Sequence, residues 1–362
     1  MGALSRLLTL ALVALAALAL AGCGDDDDSE DGAIEGATLL VNSTADSVAA
    51  DGELTLREAI LLATGAMATA DLDETELGQT DGTPGRETAD TIQFDASLGE
   101  GPTIELAEAL PALDAGNDTI DGRRAGGGEA PRPALDGSAG VFRCIEITSS
   151  NNAILGIELT NCRTALLVNQ SAEMNRIGGP GPGEGNVISG NVVGVELRGR
   201  ENVLQGNFIG TDRSGTEPLP NEFEGIWITP VARKNMVGGP NEGEGNVISG
   251  NPLFGISIDA AIGNVVQGNI IGLDVSATKA IENRFGVNIQ AGATENVIGG
   301  SEAGEGNTIA ANETGVLIRG ATTTDNTVRG NLFRVADIVN SVDVFEEADV
   351  SGNVIEDNEP PE

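Results

Sequence analysis

Apolar residues along this chain come in short bursts at a nearly fixed interval. The clearest are Ala165–Val168, Gly194–Leu197, Gly225–Ile228, Gly255–Ile258, Gly286–Ile289 and Gly315–Ile318, whose starts lie 29 to 31 residues apart. Within a burst every second position is apolar, and Gly and Asn interrupt, which is the two-residue period of a strand. The pairs Val195/Leu197, Ile226/Ile228, Ile256/Ile258, Val287/Ile289 and Val316/Ile318 then point one way. Stacked coil upon coil at about 4.8 Å, they form aliphatic ladders. Units this small cannot bury a core singly, so the pattern predicts an all-β parallel solenoid.

A longer beat overlies the first. Ile177–Gly179 returns as Val237–Gly239 and Ile298–Gly300, and Asn186–Asn191 returns as Asn246–Asn251 and Asn307–Asn312, at steps of 60 and 61. Between them Asn202–Asn207, Asn264–Asn269 and Asn326–Asn331 recur every 62 residues, so two unlike coils alternate. Asn tolerates left-handed backbone angles, and its amide can bond the turn backbone of the next coil. Asn191, Asn251 and Asn312 are therefore expected to be structural.

The phrases Asn186–Asn191 and Asn264–Gly272 resemble those of repeat-containing surface proteins with a right-handed parallel β-helix, the pectate-lyase-like superfold. Right-handedness is what that resemblance implies. Leu54–Ala59 also resembles the Cys-Ser-Leu-Arg-Glu-Ala signature that precedes such helices in bacterial surface proteins, with Leu54 and Thr55 in place of its Cys and Ser. Physically, Thr55 and Glu58 form a capping box, Leu56, Ala59, Ile60 and Ala63 supply an apolar face, and Gly65 is a stop. With strand 37–42 this helix would make the lid that a solenoid end needs.

Residues 1–22 read as a lipoprotein signal: Arg6, an apolar run from Leu7 to Leu20, and the lipobox Leu20–Cys23, with Cys23 as the lipidated residue. The expected organisation continues with an acidic tether (23–36), an N-terminal cap and linker (37–89), the parallel β-helix (90–356) and an acidic tail (357–362). Localisation would be extracytoplasmic, with the membrane as partner through Cys23. Cys144 and Cys162 remain in the body, where an oxidising setting leaves two options, a disulfide or two buried small side chains.

Charge narrows the partners. Asp and Glu number 56 against 19 Lys and Arg, a formal net charge of −37, so nucleic acid and anionic headgroups are repelled. The chain has neither His nor Tyr, which removes the commonest general acid/base. Beside the aliphatic ladder an outward column reads Glu196, Trp227, Ser257, Asn288, Leu317, and the next reads Arg198, Thr229, Asp259, Gln290, Arg319. Both columns are expected to face solvent. Glu196, Arg198 and Asp259 are the candidates for catalysis, and Trp227 for sugar stacking. Asp212 and Asp274 recur in register in long turns, where they either form the turn or hold calcium as a cofactor; Glu184, Glu244 and Glu305 line up along another edge, about two coils apart and too far for one calcium ion. The reading that follows is a lipid-anchored surface β-helix for display, adhesion or glycan binding. Its alternatives are a polysaccharide lyase, hydrolase or epimerase, and an envelope assembly module.

Overall fold

The computed structural model describes residues 36–123 and 132–358; the signal segment, Cys23, tether residues 23–35 and tail residues 359–362 lie outside these. The described chain winds around a three-sided prism. Sheet A has twelve strands, and sheets B and C have eight each. One coil runs through Arg176–Gly178 in sheet A, Val187–Ile188 in sheet B and Val193–Leu197 in sheet C, then returns to sheet A at Val203–Gln205. Successive strands within each sheet pair in parallel, apart from one antiparallel strand at the edge of sheet A. This is the expected parallel β-solenoid, and right-handed winding is the normal sense for such parallel crossovers.

The register matches the alternation in the sequence. Val195 pairs with Ile226, Ile226 with Ile256, Ile256 with Val287 and Val287 with Val316, and a second ladder runs Leu197, Ile228, Ile258, Ile289, Ile318. All of these side chains are fully buried. Each contributes about 1.5–3 kcal/mol by leaving water.

The corners are held by side-chain amides. Between sheets B and C, Asn191, Asn221, Asn251, Asn283, Asn312 and Asn340 form a buried ladder. In it, Asn221 Oδ1 accepts both the main-chain N–H (3.1 Å) and the Nδ2–H (3.1 Å) of Asn191. Asn186, Asn207, Asn246, Asn269, Asn307 and Asn331 repeat the device between sheets A and B. A third ladder joins C to A. One detail differs from expectation: the left-handed residue at the B–C bend is the one before the ladder Asn, namely Gly190, Gly250 and Ala311. The Asn itself is held in place by its amide.

The two-coil beat has a geometric origin. Long turns alternate between corners, with the A–B turn long after Gly178, Gly238 and Gly299 and the B–C turn long after Ile209 and Ile271. Two long B–C loops therefore stack on each other across a short one, and Val275 N–H donates to Gly215 O at 2.9 Å.

Thr38–Val41 pairs in parallel with Thr91–Phe94, so it is the first rung of sheet A, and Thr80–Asp81 covers its other edge antiparallel. Helix Leu56–Ala63 carries the capping box on Thr55 and Glu58, ends at Thr64 before Gly65 (φ +68°), and buries Leu56, Ala59, Ile60, Leu62 and Ala63. Arg57 is a structural pin: it donates to both oxygens of Asp46 (2.8 Å each) and to the carbonyls of Glu108 and Ala109. Cys144 and Cys162 are joined by a disulfide with Cα atoms 5.9 Å apart.

Two substitutions test this core. Ile258→Asp places an unpaired charge inside the ladder and should cost several kcal/mol. Asn235→Ala removes the acceptor of the Asn202 N–H and of one Nδ2–H of Asn202, and takes one of two donors from Asn264 Oδ1 and from the Gly199 carbonyl, which keep the main-chain N–H groups of residues 235 and 233; it should cost on the order of 3 kcal/mol. Thermal melting should fall in both, with the larger drop in Ile258→Asp.

Candidate functional site

The outer side of sheet C carries three columns. The central one is Glu146, Leu167, Glu196, Trp227, Ser257, Asn288, Leu317 and Phe345. The leading one includes Val193, Glu224, Phe254, Phe285 and Thr314. The trailing one includes Arg198, Thr229, Asp259, Gln290 and Arg319, as the alternation predicts. Much of the central column, however, is not solvated: Ser257 is 1% exposed and Asn288 0%. The flanking columns lean over it. The Arg319 guanidinium, from the trailing column, lies 5.7 Å from the Phe254 ring of the leading column, and the Phe254 and Phe285 rings stack at 5.4 Å.

The predicted cluster divides into two bonded sets. Arg198 Nε donates to Glu196 Oε1 at 2.7 Å. Trp227 Nε1 donates to Asp259 Oδ2 at 3.0 Å, while Asp259 Oδ1 accepts from Ser257 Oγ and Gln290 Nε2, both at 2.8 Å. Asn288 Nδ2 completes the chain by donating to Ser257 Oγ. Every candidate carboxylate is thus engaged by its neighbours. Sequence reasoning missed Glu224, whose carboxyl is pushed up by burial and then by the charges of Asp259 and Glu196. Its signal was a lone acid among Val193, Phe254 and Phe285 in the leading column.

Aromatic residues gather on this side. Of eight Phe and one Trp in the chain, Phe142, Phe223, Trp227, Phe254, Phe285 and Phe345 lie on the outer side of sheet C or at its leading edge. Phe142 is exposed and has both Arg143 and Arg163 guanidinium carbons 5.2 Å from its ring centre. Arg143 pairs with Glu146 at 2.9 Å. Among the described residues Arg163 and Arg319 have no carboxylate partner, despite the threefold excess of acids over bases. A groove of about 670 Å³ runs beside Arg163 at the B–C corner, lined also by Asn161, Val192, Pro220 and Glu222.

The acidic turns have local roles. Asp212 accepts from Ser214 Oγ and from the N–H groups of Thr216 and Glu217, and Asp274 does the same with Ser276, Thr278 and Lys279. Burial opposes ionisation at both, but these hydrogen bonds together outweigh it and hold both carboxyls below their ordinary value. Glu184, Glu244 and Glu305 close their turns by accepting the N–H three residues back.

No protein-family model matches this chain, and no curated protein does. Among solved structures, an alginate lyase from Paenibacillus sp. str. FPU-7 is similar at 16% identity and a TM-score of 0.40, over 75% of this chain and 90% of that one. Pectate lyase Pel9A is similar at 15% identity and 0.38, over 88% and 78%. The A-module of mannuronan C-5 epimerase AlgE6 from Azotobacter vinelandii is similar at 14% identity and 0.28, over 76% and 82%.

The covered face makes two expectations. Ser257→Asp, which would be silent on an open face, should lower the melting temperature clearly, because it buries a second carboxylate against Asp259. Asp259→Asn should bring the Glu224 pKa down toward its ordinary value. A raised carboxyl pKa removes stability as pH climbs from the unfolded value through the folded one, so this variant should lose less stability over that window than the parent. Melting across the acid range, with carbon NMR of the Glu224 carboxyl, reads both.

Proposed function

We propose that this protein is a lipid-anchored β-solenoid of the cell envelope that binds a glycan along the outer side of sheet C without cleaving it. One observation carries the reading: the carboxylates of Glu196 and Asp259 are tied into the face's own hydrogen bonds, whereas six of the chain's nine Phe and Trp rings gather on that side or at its edge, beside Arg163 and Arg319, which have no carboxylate partner among the described residues. Rings offer apolar faces to sugar C–H groups, and a guanidinium offers a planar fork to hydroxyls or a carboxylate. The face also keeps Thr229 Oγ1, Asn288 Oδ1 and Arg319 Nε buried without partners. Each such atom costs about 1–3 kcal/mol, so stability alone does not account for the arrangement. Cys23 supplies the anchor in this reading, and residues 24–36 the spacer.

Polysaccharide cleavage is the second reading, and one observation favours it. Glu224 has a raised pKa beside Asp259 and Glu196, the pattern of a proton donor near a base.

A glycan array probed with residues 31–362 separates the two. Binding without turnover is expected, weakened several-fold by Trp227→Ala or Phe142→Ala and unaffected by calcium or its chelation. Product release that vanishes in both Glu224→Gln and Asp259→Asn, with melting retained, would establish the enzyme instead. For the anchor, Cys23→Ser should abolish lipid incorporation and detergent partitioning; unchanged partitioning would reject it.

A further inference from the structure

The ladder between sheets C and A begins with two acids. It runs Asp90, Asp118, Asn152, Asn175, Asn202, Asn235, Asn264, Asn296, Asn326 and Asn353. From Asn152 onward each rung has the same two donors. Asn175 Oδ1, for example, accepts Asn152 N–H at 2.8 Å and Asn152 Nδ2–H at 2.9 Å. The acidic rungs keep the main-chain half of this pattern: Asp90 N–H donates to Asp118 Oδ1 (3.3 Å), and Asp118 N–H to Asn152 Oδ1 (3.1 Å).

The side-chain half is where they differ. Asp90 turns both oxygens to other donors, with Ala37 N–H on Oδ1 and Gly85 N–H and Thr88 Oγ on Oδ2. Asp118 does not. Its Oδ1 fills the usual acceptor place, so Oδ2 takes the branch that carries the Nδ2–H donor in every Asn rung, and this oxygen is buried with no partner. An ionised carboxylate there would oppose two acceptors, its own Oδ2 and Asn152 Oδ1. A carboxylic acid would donate.

We infer that Asp118 is held as a neutral acid whose O–H replaces the amide donor of the ladder, and that losing this proton as the pH rises loosens the N-terminal coils. The charges around it agree. Asp90 faces it from the preceding coil and Asp114 from its own, Arg86 being spent on Asp114 at 3.1 Å, while the following coil offers only uncharged Asn152. Burial above all, with the charges of Asp90 and Asp114 and against the hydrogen bond from Asp90 N–H, pushes its carboxyl up to about 7. An unfolded Asp titrates near 3.9. The folded state therefore holds the extra proton between these values: the stabilisation is complete below the lower one and is lost as pH climbs to the upper one.

The test is a carbon NMR titration of aspartate carboxyls in the full chain, with amide hydrogen exchange corrected for its intrinsic pH dependence. The Asp118 carboxyl should titrate near neutrality. Opening of amides in Thr91–Phe94 and Thr119–Asp121 should rise with pH between about 5 and 7, by at most roughly tenfold per unit, while amides of Phe254–Asp259 show no such rise. Asp118→Asn, which supplies the donor permanently, should flatten that slope and raise the melting temperature at pH 8. An Asp118 carboxyl already ionised at pH 5.5 would overturn the inference without any variant, and so would an Asp118→Asn chain with the parent's pH slope.

Discussion

The structure depends on one constraint: at three corners per coil the turning backbone is shut away from water and must still be hydrogen-bonded. Asparagine meets it because one short side chain carries both an acceptor and a donor. Its Oδ1 takes the N–H of the coil before, and its Nδ2 reaches the Oδ1 of the coil after, so each residue satisfies its neighbours only if the coils stay in register. Asn207 shows the full set, accepting from Asn186 and donating to Asn246 and to the carbonyl of Ile177. A one-residue slip would break three ladders together and turn the aliphatic ladders outward. The amides thus fix the register that the hydrophobic stack needs.

Other features follow from fixed corners. Loops can lengthen only between ladder positions, and they do so on alternate coils, leaving room for Val275 to bond Gly215 two coils away. The disulfide uses the same lattice. In later coils the strand glycine lies against the ladder Asn of the next coil, as Gly194 does with Asn221 and Gly225 with Asn251. Cys144 stands in the glycine place, and Cys162 in the Asn place, its N–H donating to Asn191 Oδ1. A covalent bond replaces a close contact there.

This also explains what could be read from the residues beforehand. Coil length, strand phase and ladder Asn were legible because each is a periodic feature, and Thr55 with Glu58 because a capping box is local. The cysteine pair was half legible: its slots belong to the repeat, but the closeness of those slots appears only in three dimensions. The cover over Ser257 was not legible. Alternation says which side of a sheet a residue faces, whereas burial on the outer side depends on how far Arg319 and Phe254, two coils apart, lean across. Glu224 was missed for a similar reason, since its raised pKa comes from acids on neighbouring coils that no local pattern brings together.

The division of labour bears on where function resides. Inward positions and corners are bound by the repeat and leave almost no freedom to vary. The outer sides escape that constraint, and on sheet C they hold most of the aromatic rings in a chain that has few, beside arginines left without carboxylates in a chain that has many. Phe254 on Phe285 does join adjacent coils, whereas Phe142, Phe223 and Phe345 leave their rings exposed. A glycan laid across the coils would meet one outward residue about every 4.8 Å, so affinity would accumulate from several modest contacts, and single substitutions on that face should weaken binding without abolishing it. A catalytic centre behaves differently, because losing one proton donor removes the reaction. That difference in graded against all-or-none response distinguishes a binding face from an active site on the same sheet.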